Sequence, residues 1–479
     1  MRILMLSWEY PPNNIGGLPK HVYNLSQELS KLKHEVHVIT CEEGTSPLHE
    51  KDNGVWVHRV APYNIDTTDF AKWVMHLNFA MIEEATRLIR EVGRFDIIHA
   101  HDWLATYAAK SLKWSFNTPL VCTMHATEQG RNNGIKTELQ RYISNAEWLL
   151  TYESWKTIVC NENMKNEVVE LFKTPEENIW TIPNGISTEK FNMPFDEEAF
   201  RSKYASSEEK IILFLGKHSY QKGIHLLIEA IPEVISSYSK VKFLIVGKGP
   251  MTEELQDRIS CMNLEQKVIF TGYLEEEEKI KLYRVSDIAV VPSIYEHFGT
   301  TALEAMAANC AVLASDIGGL SEIVEHKQNG LKFICGVRES LRDNLLELLN
   351  DENLVEKFKK SGKKEVDKRY SWYNSAKITE QLYKTVISEV EGSLWESWPE
   401  EEERKKLQEK LKKEKEKVAE LKKKLQELQE VKVDKTKECE ISKALKTEKT
   451  KKVAKTPRKK KIAAKDIVKE ETEQIVNTK

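Results

Sequence analysis

Short apolar runs recur along most of the chain, each followed by a polar turn and then a stretch with helical spacing. The first runs read as strands at Arg2–Leu6, Glu35–Thr40, Val55–Val60, Ile97–Ala100, Leu120–Met124 and Thr157–Cys160. Between them, segments such as His21–Leu32 and Ala80–Val92 carry apolar residues three and four apart, the stripe of an amphipathic helix. Strands alternating with helices predict βαβ units and a mainly parallel sheet. A second series, Ile211–Leu215, Val241–Val246, Lys267–Thr271, Ile288–Pro292 and Ala311–Ser315, alternates with helices that include Ile224–Ser236 and Thr300–Ala308. The Asn-Gly turn in IPNGIS, Ile182–Ser187, divides the two series. The predicted fold class is therefore α/β, with two doubly wound, Rossmann-like halves at residues 1–184 and 185–372. Ligands of such sheets bind at the carboxyl ends of the strands, so the cleft between the halves is the expected site.

After Tyr370 the pattern changes. Residues 373–392 keep helical spacing and aromatic anchors, and are expected to pack back on the first half. Residues 393–432 are almost entirely Lys, Glu, Leu and Gln. Leu411, Val418 and Leu425 repeat every seven residues, as do Leu407, Leu421 and Leu428, with Glu414 and Lys432 breaking the seam. A solvated single helix and a short coiled coil both fit this pattern. Residues 433–479 lose all core periodicity and form a Lys-rich tail expected to be disordered. This end raises the charged fraction to 31%, above the ordinary level of about 25%. The formal net charge of −3 gives no argument for nucleic acid or membrane as a partner. Seven dispersed cysteines, none in a C-x-x-C pair, read as reduced thiols and not as a disulfide frame or zinc site. MRILMLSW is too short for a signal peptide, and no apolar run approaches the roughly 20 residues that span a bilayer. A soluble, cytoplasmic protein is expected.

The candidate chemistry lies at predicted strand ends. In SIYEHFGTTALEAMA, Ser293–Ala307, seven residues separate Glu296 from Glu304, and Gly299 opens a helix whose free N–H groups and dipole suit a phosphate. An ordinary strand–loop–helix with surface carboxylates fits the spacing as well. In LGKHSYQKG, Leu215–Gly223, Lys217 and Lys222 flank a loop where two cations can neutralise a diphosphate, or simply be solvated. IIHAHDW places His101 and Asp102 directly after one strand, and TMHATEQGR places His125, Glu128 and Arg131 after the next. No metal-ligand spacing is evident there, and no cofactor is called for. NIGG, Asn14–Gly17, offers paired glycines for close backbone approach or for a plain turn.

Taken in order, SWEYPPNNIGGLPKHV, IIHAHDW, TMHATEQGR, IPNGIS, GKHSYQKG, VGKGP, FTGYL, EHFGTTALEAMA and ASDIGGLSEIV resemble glycosyltransferase family 4, of GT-B architecture, and within it the glycogen synthase-type members. The resemblance covers Met1 to about Val390. It implies a retaining, metal-independent hexosyltransferase with an acceptor-side first half and a nucleotide-sugar-binding second half. Glu296 then contacts the transferred sugar and Glu304 the ribose. Lys222 matches the diphosphate-binding lysine, and Lys217 stands where the family usually has arginine. Gly16, Gly17, Phe298, Gly299 and Thr300 complete the donor side. His101 or His125 supports the reacting sugar, with Asp102, Glu128 and Arg131 on the acceptor or sugar side. Asn14 replaces the lysine of ADP-glucose enzymes, which leaves ADP- and UDP-glucose both open as donor. His297 replaces a commoner small residue or proline. Three functions stay in play: an α-glucan synthase, the same donor chemistry on a sugar or sugar phosphate, and a non-enzymatic assembly protein. In the last, the C-terminal helix and basic tail mediate self-association or bind an anionic partner.

Overall fold

The computed structural model describes residues 1–12, 17–42, 44–63, 68–391, 393, 395 and 409–424. The chain divides into one compact unit, Met1–Trp398, and a second, Pro399–Lys479.

Two sheets organise the first unit. Strands β1 (Arg2–Leu6), β2 (Glu35–Cys41), β3 (His49–Asp52), β4 (Val55–Val60), β5 (Ile97–His101), β6 (Leu120–Met124), β7 (Lys156–Val159) and β8 (Ile179–Thr181) form an eight-stranded sheet in the order β3-β4-β2-β1-β5-β6-β7-β8. Its neighbours are parallel except for the β3–β4 pair. Strands β9 (Lys210–Leu215), β10 (Val241–Val246), β11 (Val268–Gly272), β12 (Ile288–Val291), β13 (Ala311–Ser315) and β14 (Leu331–Phe333) form a parallel sheet in the order β11-β10-β9-β12-β13-β14.

Both faces of each sheet are buried, because successive side chains point to opposite sides. Ile3 and Met5 join Val22, Leu25 and Leu29 of helix Gly17–Lys31, together with Tyr383 and Val386 of helix Trp372–Glu391. Leu4 and Leu6 join Leu77, Met81 and Leu88 of helix Phe70–Val92 on the other side. In the second half, Ile211 and Leu213 face one core, and Ile212 and Phe214 the other. Each such burial contributes about 1.5–3 kcal/mol. Strand order reverses between β1 and β5 and between β9 and β12, which places ligand crevices at the loops after these strands.

The chain passes between the halves twice, and the two crossings touch. Ile186 N donates to Tyr370 O at 2.8 Å, and Ser375 Oγ donates to Pro183 O at 2.6 Å. A Cβ at Gly185 would lie 2.3 Å from Trp372 N, so only glycine fits that contact. Helix Trp372–Glu391 lies against the first sheet, where Tyr383 Oη and His99 Nδ1 are 2.6 Å apart. Trp395 continues this packing, 6.0 Å from Trp114 and 5.7 Å from Trp155 between ring centroids.

Three strands carry no apolar pattern long enough to read: His49–Asp52, Ile179–Thr181 and Leu331–Phe333. Helix Phe70–Val92 starts ahead of Ala80 because Asp69 caps it, accepting from Ala71 N and Lys72 N. Among the described residues Cys122, Cys160, Cys261, Cys310 and Cys335 are free, and no helix is long and apolar enough to cross a membrane. In the second unit, residues 409–424 are helical with Leu411, Val418 and Leu421 exposed. Leu407, Leu425, Leu428, Lys432 and the tail 433–479 lie outside the described residues, as do Asn14 and Gly16 of the glycine loop.

Candidate active site

Glycines bring the two catalytic-side loops of the second half into contact. A Cβ at Gly223 would sit 1.7 Å from Pro292 O, and Gln221 O accepts from Ile294 N at 2.8 Å and Tyr295 N at 3.2 Å. Gly318, at φ +48°, passes so close that a Cβ would lie 2.1 Å from Glu296 O, while Gly319 N donates to that oxygen at 3.1 Å. The backbone of the loop carrying Glu296 is thereby held without help from the Glu296 side chain. Its carboxylate accepts from Lys222 Nζ at 2.7 Å and from Ser293 Oγ at 3.0 Å. The Glu296 side chain is 11% exposed, that of Lys222 35%. Burial pulls the Glu296 carboxyl upward, but Lys222 outweighs it and holds the group below the usual range. Lys217 lies exposed just beyond β9; the ion pair to Glu296 comes from Lys222.

Gly299, at φ +102°, opens helix Thr300–Ala307 without a side-chain cap, leaving first-turn N–H groups available to an anion. Thr300 is exposed there, while the ring of Phe298 is packed in the core against Tyr370. Glu304 accepts from Tyr283 Oη at 3.2 Å and lies 3.7 Å from Lys190 Nζ and 3.9 Å from Lys20 Nζ. Lys20 comes from the first half, on the helix that Gly17 starts, so this charge cluster spans the cleft. Sequence reasoning missed both lysines, which carry no motif beyond lying beside the glycine loop and the crossover.

On the first half, Asp102 Oδ1 accepts from His125 N at 2.8 Å and ties the ends of β5 and β6 together. His101 Nδ1 and His125 Nε2 are 3.3 Å apart. His21, also unforeseen, joins them with its ring centroid 4.6 Å from that of His125, and its Nδ1 meets Asn184 Oδ1 at 2.7 Å. Burial holds His21 and His101 well below the ordinary imidazole value and brings His125 down to about 3, with His297 of the second half adding to the effect on His125. All three are therefore neutral near pH 7, able to accept from a sugar hydroxyl through a free nitrogen. One ligand atom from each lies within 4.8 Å of the others, a set able to hold a metal that no spacing in the sequence displays.

Glu128 and Arg131 share helix Glu128–Asn132, capped by Thr127 Oγ1. Arg131 Nε lies 3.6 Å from Glu128 Oε2, and its Nη2 donates to Glu147 Oε1 at 3.3 Å. Glu147 also accepts from Glu128 N at 2.8 Å. It is fully buried, and burial pushes its carboxyl up to about 8 against the pull of Arg131. Direct bonds join the two halves: Gln221 Nε2 donates to Arg131 O at 2.5 Å, Asn161 Nδ2 donates to His297 O, and Asn163 Nδ2 donates to Glu322 Oε1 at 2.6 Å. Between them a cavity of about 490 Å³ is lined by Trp8, Trp103, Glu128, Arg131, Lys222 and His297, among others. Apolar ring faces beside charged groups suit a sugar, which is apolar on its ring faces and polar at its rim.

Residues 15–190 match Glycosyltransferase Family 4, and residues 196–365 match Glycosyl transferases group 1. Over 393 residues the chain is 38% identical to an uncharacterised glycosyltransferase of Methanocaldococcus jannaschii, covering 81% of this chain and 99% of that protein. This chain belongs to glycosyltransferase family 4. The glycosyltransferase is also 34% identical over 402 residues to a glycogen synthase of Mycobacterium tuberculosis, with 80% and 94% of the two chains covered. Its fold is GT-B: sucrose-phosphate synthase from Thermosynechococcus elongatus superposes with a TM-score of 0.71 at 22% identity, over 81% of this glycosyltransferase and 99% of that chain.

Proposed function

We propose that the protein is a retaining glucosyltransferase that moves glucose from ADP- or UDP-glucose to an α-glucan. The observation that carries this reading is the Lys222–Glu296 pair, 2.7 Å apart, on a cleft whose other wall bears neutral His101 and His125. The likeness to a glycogen synthase at 34% identity supports the glucan acceptor. The first half then receives the acceptor and the second binds the donor.

In the proposed reaction the bond between the anomeric carbon and the diphosphate oxygen breaks, and its electron pair leaves with the phosphate. Lys222, Lys217 and the N–H groups opening helix Thr300–Ala307 stabilise that charge, so the step needs no divalent ion. Phosphate competes with Glu296 for Lys222, which releases the Glu296 carboxylate towards the sugar as positive charge builds at the anomeric carbon. The acceptor hydroxyl attacks from the same face, and its proton passes to the departing phosphate oxygen. His101 or His125 accepts from a hydroxyl of the transferred sugar. Glu304 holds the ribose once Lys20 and Lys190 shift to the nucleotide. Contacts across the cleft exclude water and so suppress donor hydrolysis. The free thiols agree with a cytoplasmic setting.

A screen of nucleotide sugars against glycogen, glucose and sugar phosphates tests the assignment. Transfer from ADP- or UDP-glucose to glycogen is expected. Transfer to small acceptors alone would move the protein to the second acceptor class, and no transfer from any glucose donor would overturn the reading.

A further inference from the structure

Away from the cleft, at the edge of the first sheet, His49 of β3 stands directly opposite His58 of β4. Both reach Glu84 on helix Phe70–Val92 behind the sheet. His49 Nδ1 is 3.3 Å from His58 Nδ1, His58 Nδ1 is 3.2 Å from Glu84 Oε1, and His49 Nδ1 is 3.7 Å from Glu84 Oε1. A tetrahedral ion with bonds of about 2.0–2.1 Å needs its ligand atoms about 3.3–3.4 Å apart. The two edges at His58 Nδ1, 3.2 and 3.3 Å, have about that size, and the third, 3.7 Å, closes to it with a small turn of the exposed His49 ring.

The surrounding hydrogen bonds are compatible with the lone pair such an ion needs. His37 Nε2 faces Glu35 Oε1 at 3.2 Å, and its Nδ1 faces His58 Nε2 at 3.1 Å. In one tautomer of this pair, His37 donates from Nε2 to the carboxylate and its Nδ1 accepts from His58 Nε2–H. The lone pair of His58 Nδ1 then faces Glu84 Oε1, with room for a cation between them, whereas in the other tautomer Nδ1–H donates to that oxygen. A carboxylate–imidazole relay behind a ligating histidine is the usual support for a bound metal. Arg87 grips both carboxylate oxygens, at 2.9 and 2.5 Å, which fixes their direction while lowering the attraction for a second cation.

We propose that His49 Nδ1, His58 Nδ1 and Glu84 Oε1 form a binding site for a divalent transition ion of the zinc type, with water as the fourth ligand. The site is open to solvent, since the His49 side chain is 54% exposed while those of His58 and Glu84 are 8% and 10%. Its effect is to staple the polar edge strand β3, HEKD, to the helix behind it.

The test uses the full chain freed of metal by a chelator and titrated with Zn²⁺ by calorimetry, alongside His49→Ala, Glu84→Gln and His125→Ala. The last separates this site from the imidazole cluster in the cleft. Wild type is expected to bind one ion more than His49→Ala and Glu84→Gln, and His125→Ala to keep the ion that those two variants lose. Zn²⁺ at a hundred times Kd is expected to raise the melting temperature of wild type by about 3 °C and to leave that of His49→Ala unmoved. Co²⁺ should give the visible absorption of a tetrahedral site in wild type only where His49 is intact. Circular dichroism checks that each variant is folded. Binding and melting shifts equal in wild type and His49→Ala, or absent from wild type, would overturn the proposal.

Discussion

Replacing Glu296 by alanine separates a role in chemistry from a role in stability. The backbone of its loop stays anchored, because Gly319 N donates to Glu296 O whatever the side chain. The stability lost is that of the side chain's bonds to Lys222 and Ser293. Lys222 is 35% exposed, so solvent screens the pair and its removal costs about 1 kcal/mol, a fall in melting temperature of about 1 °C. The proposed stabilisation of charge at the anomeric carbon is worth more. Losing one preorganised group of this kind lowers turnover at least about a hundredfold, or about 2.7 kcal/mol. Initial rates of nucleotide release and sugar incorporation, with melting curves on the same samples, measure both quantities. Adding Lys222→Ala to the variant should cost less than the two single effects together, since the residues touch. Near-normal turnover in folded Glu296→Ala would remove Glu296 from the mechanism.

Lys222→Ala should weaken donor and free nucleoside diphosphate alike, by about tenfold in Kd, as read by calorimetry. Transfer should also survive exhaustive chelation; loss with EDTA that a divalent ion restores would contradict the proposed charge neutralisation. Glu147 makes stability depend on pH. Its folded value of about 8 lies above the ordinary 4.5, so the folded chain keeps a proton that the unfolded chain releases between these limits. That stabilisation is complete below pH 4.5 and is lost as pH rises through 8. Glu147→Gln should therefore gain on wild type by about 3.5 kcal/mol between pH 5 and pH 8 in urea melts, and a difference that does not change with pH would refute this. Truncation belongs after Trp398 and not after Gly392, because Trp395 packs on Trp114 and Trp155. The shortened chain should keep its melting temperature and its turnover on small acceptors, and a loss of either would make the tail part of the catalytic body.

Strands buried on both faces were legible because their apolar runs are unbroken, as in IILF and FLIV. The polar edge strand HEKD was not, since it buries no face and is recognised only by its pairing with β4. Glu296, Glu304 and Lys222 could be placed from motif and strand end. Their partners could not. His21 sits one helical turn beyond the glycine loop and reaches His125 only because that helix packs across the ends of the strands. Glu147 lies on a helix with ordinary amphipathic spacing, and its buried contact with Arg131 depends on a tertiary approach that the sequence pattern does not encode. Lys20 and Glu304 meet across the cleft from opposite halves of the chain. Patterns local to a strand and its loop are readable, whereas charges paired between halves need the fold.

The central claim is transfer with retention, centred on Glu296 and Lys222. The most direct measurement is the proton NMR spectrum of the first product formed from α-linked nucleotide glucose and a glucan, recorded before the anomers can equilibrate. A new α-glucosidic signal is expected that grows with nucleoside diphosphate release and is lost in Glu296→Ala. A β-linked first product, or an α-linked one formed at an undiminished rate by that variant, would contradict the claim.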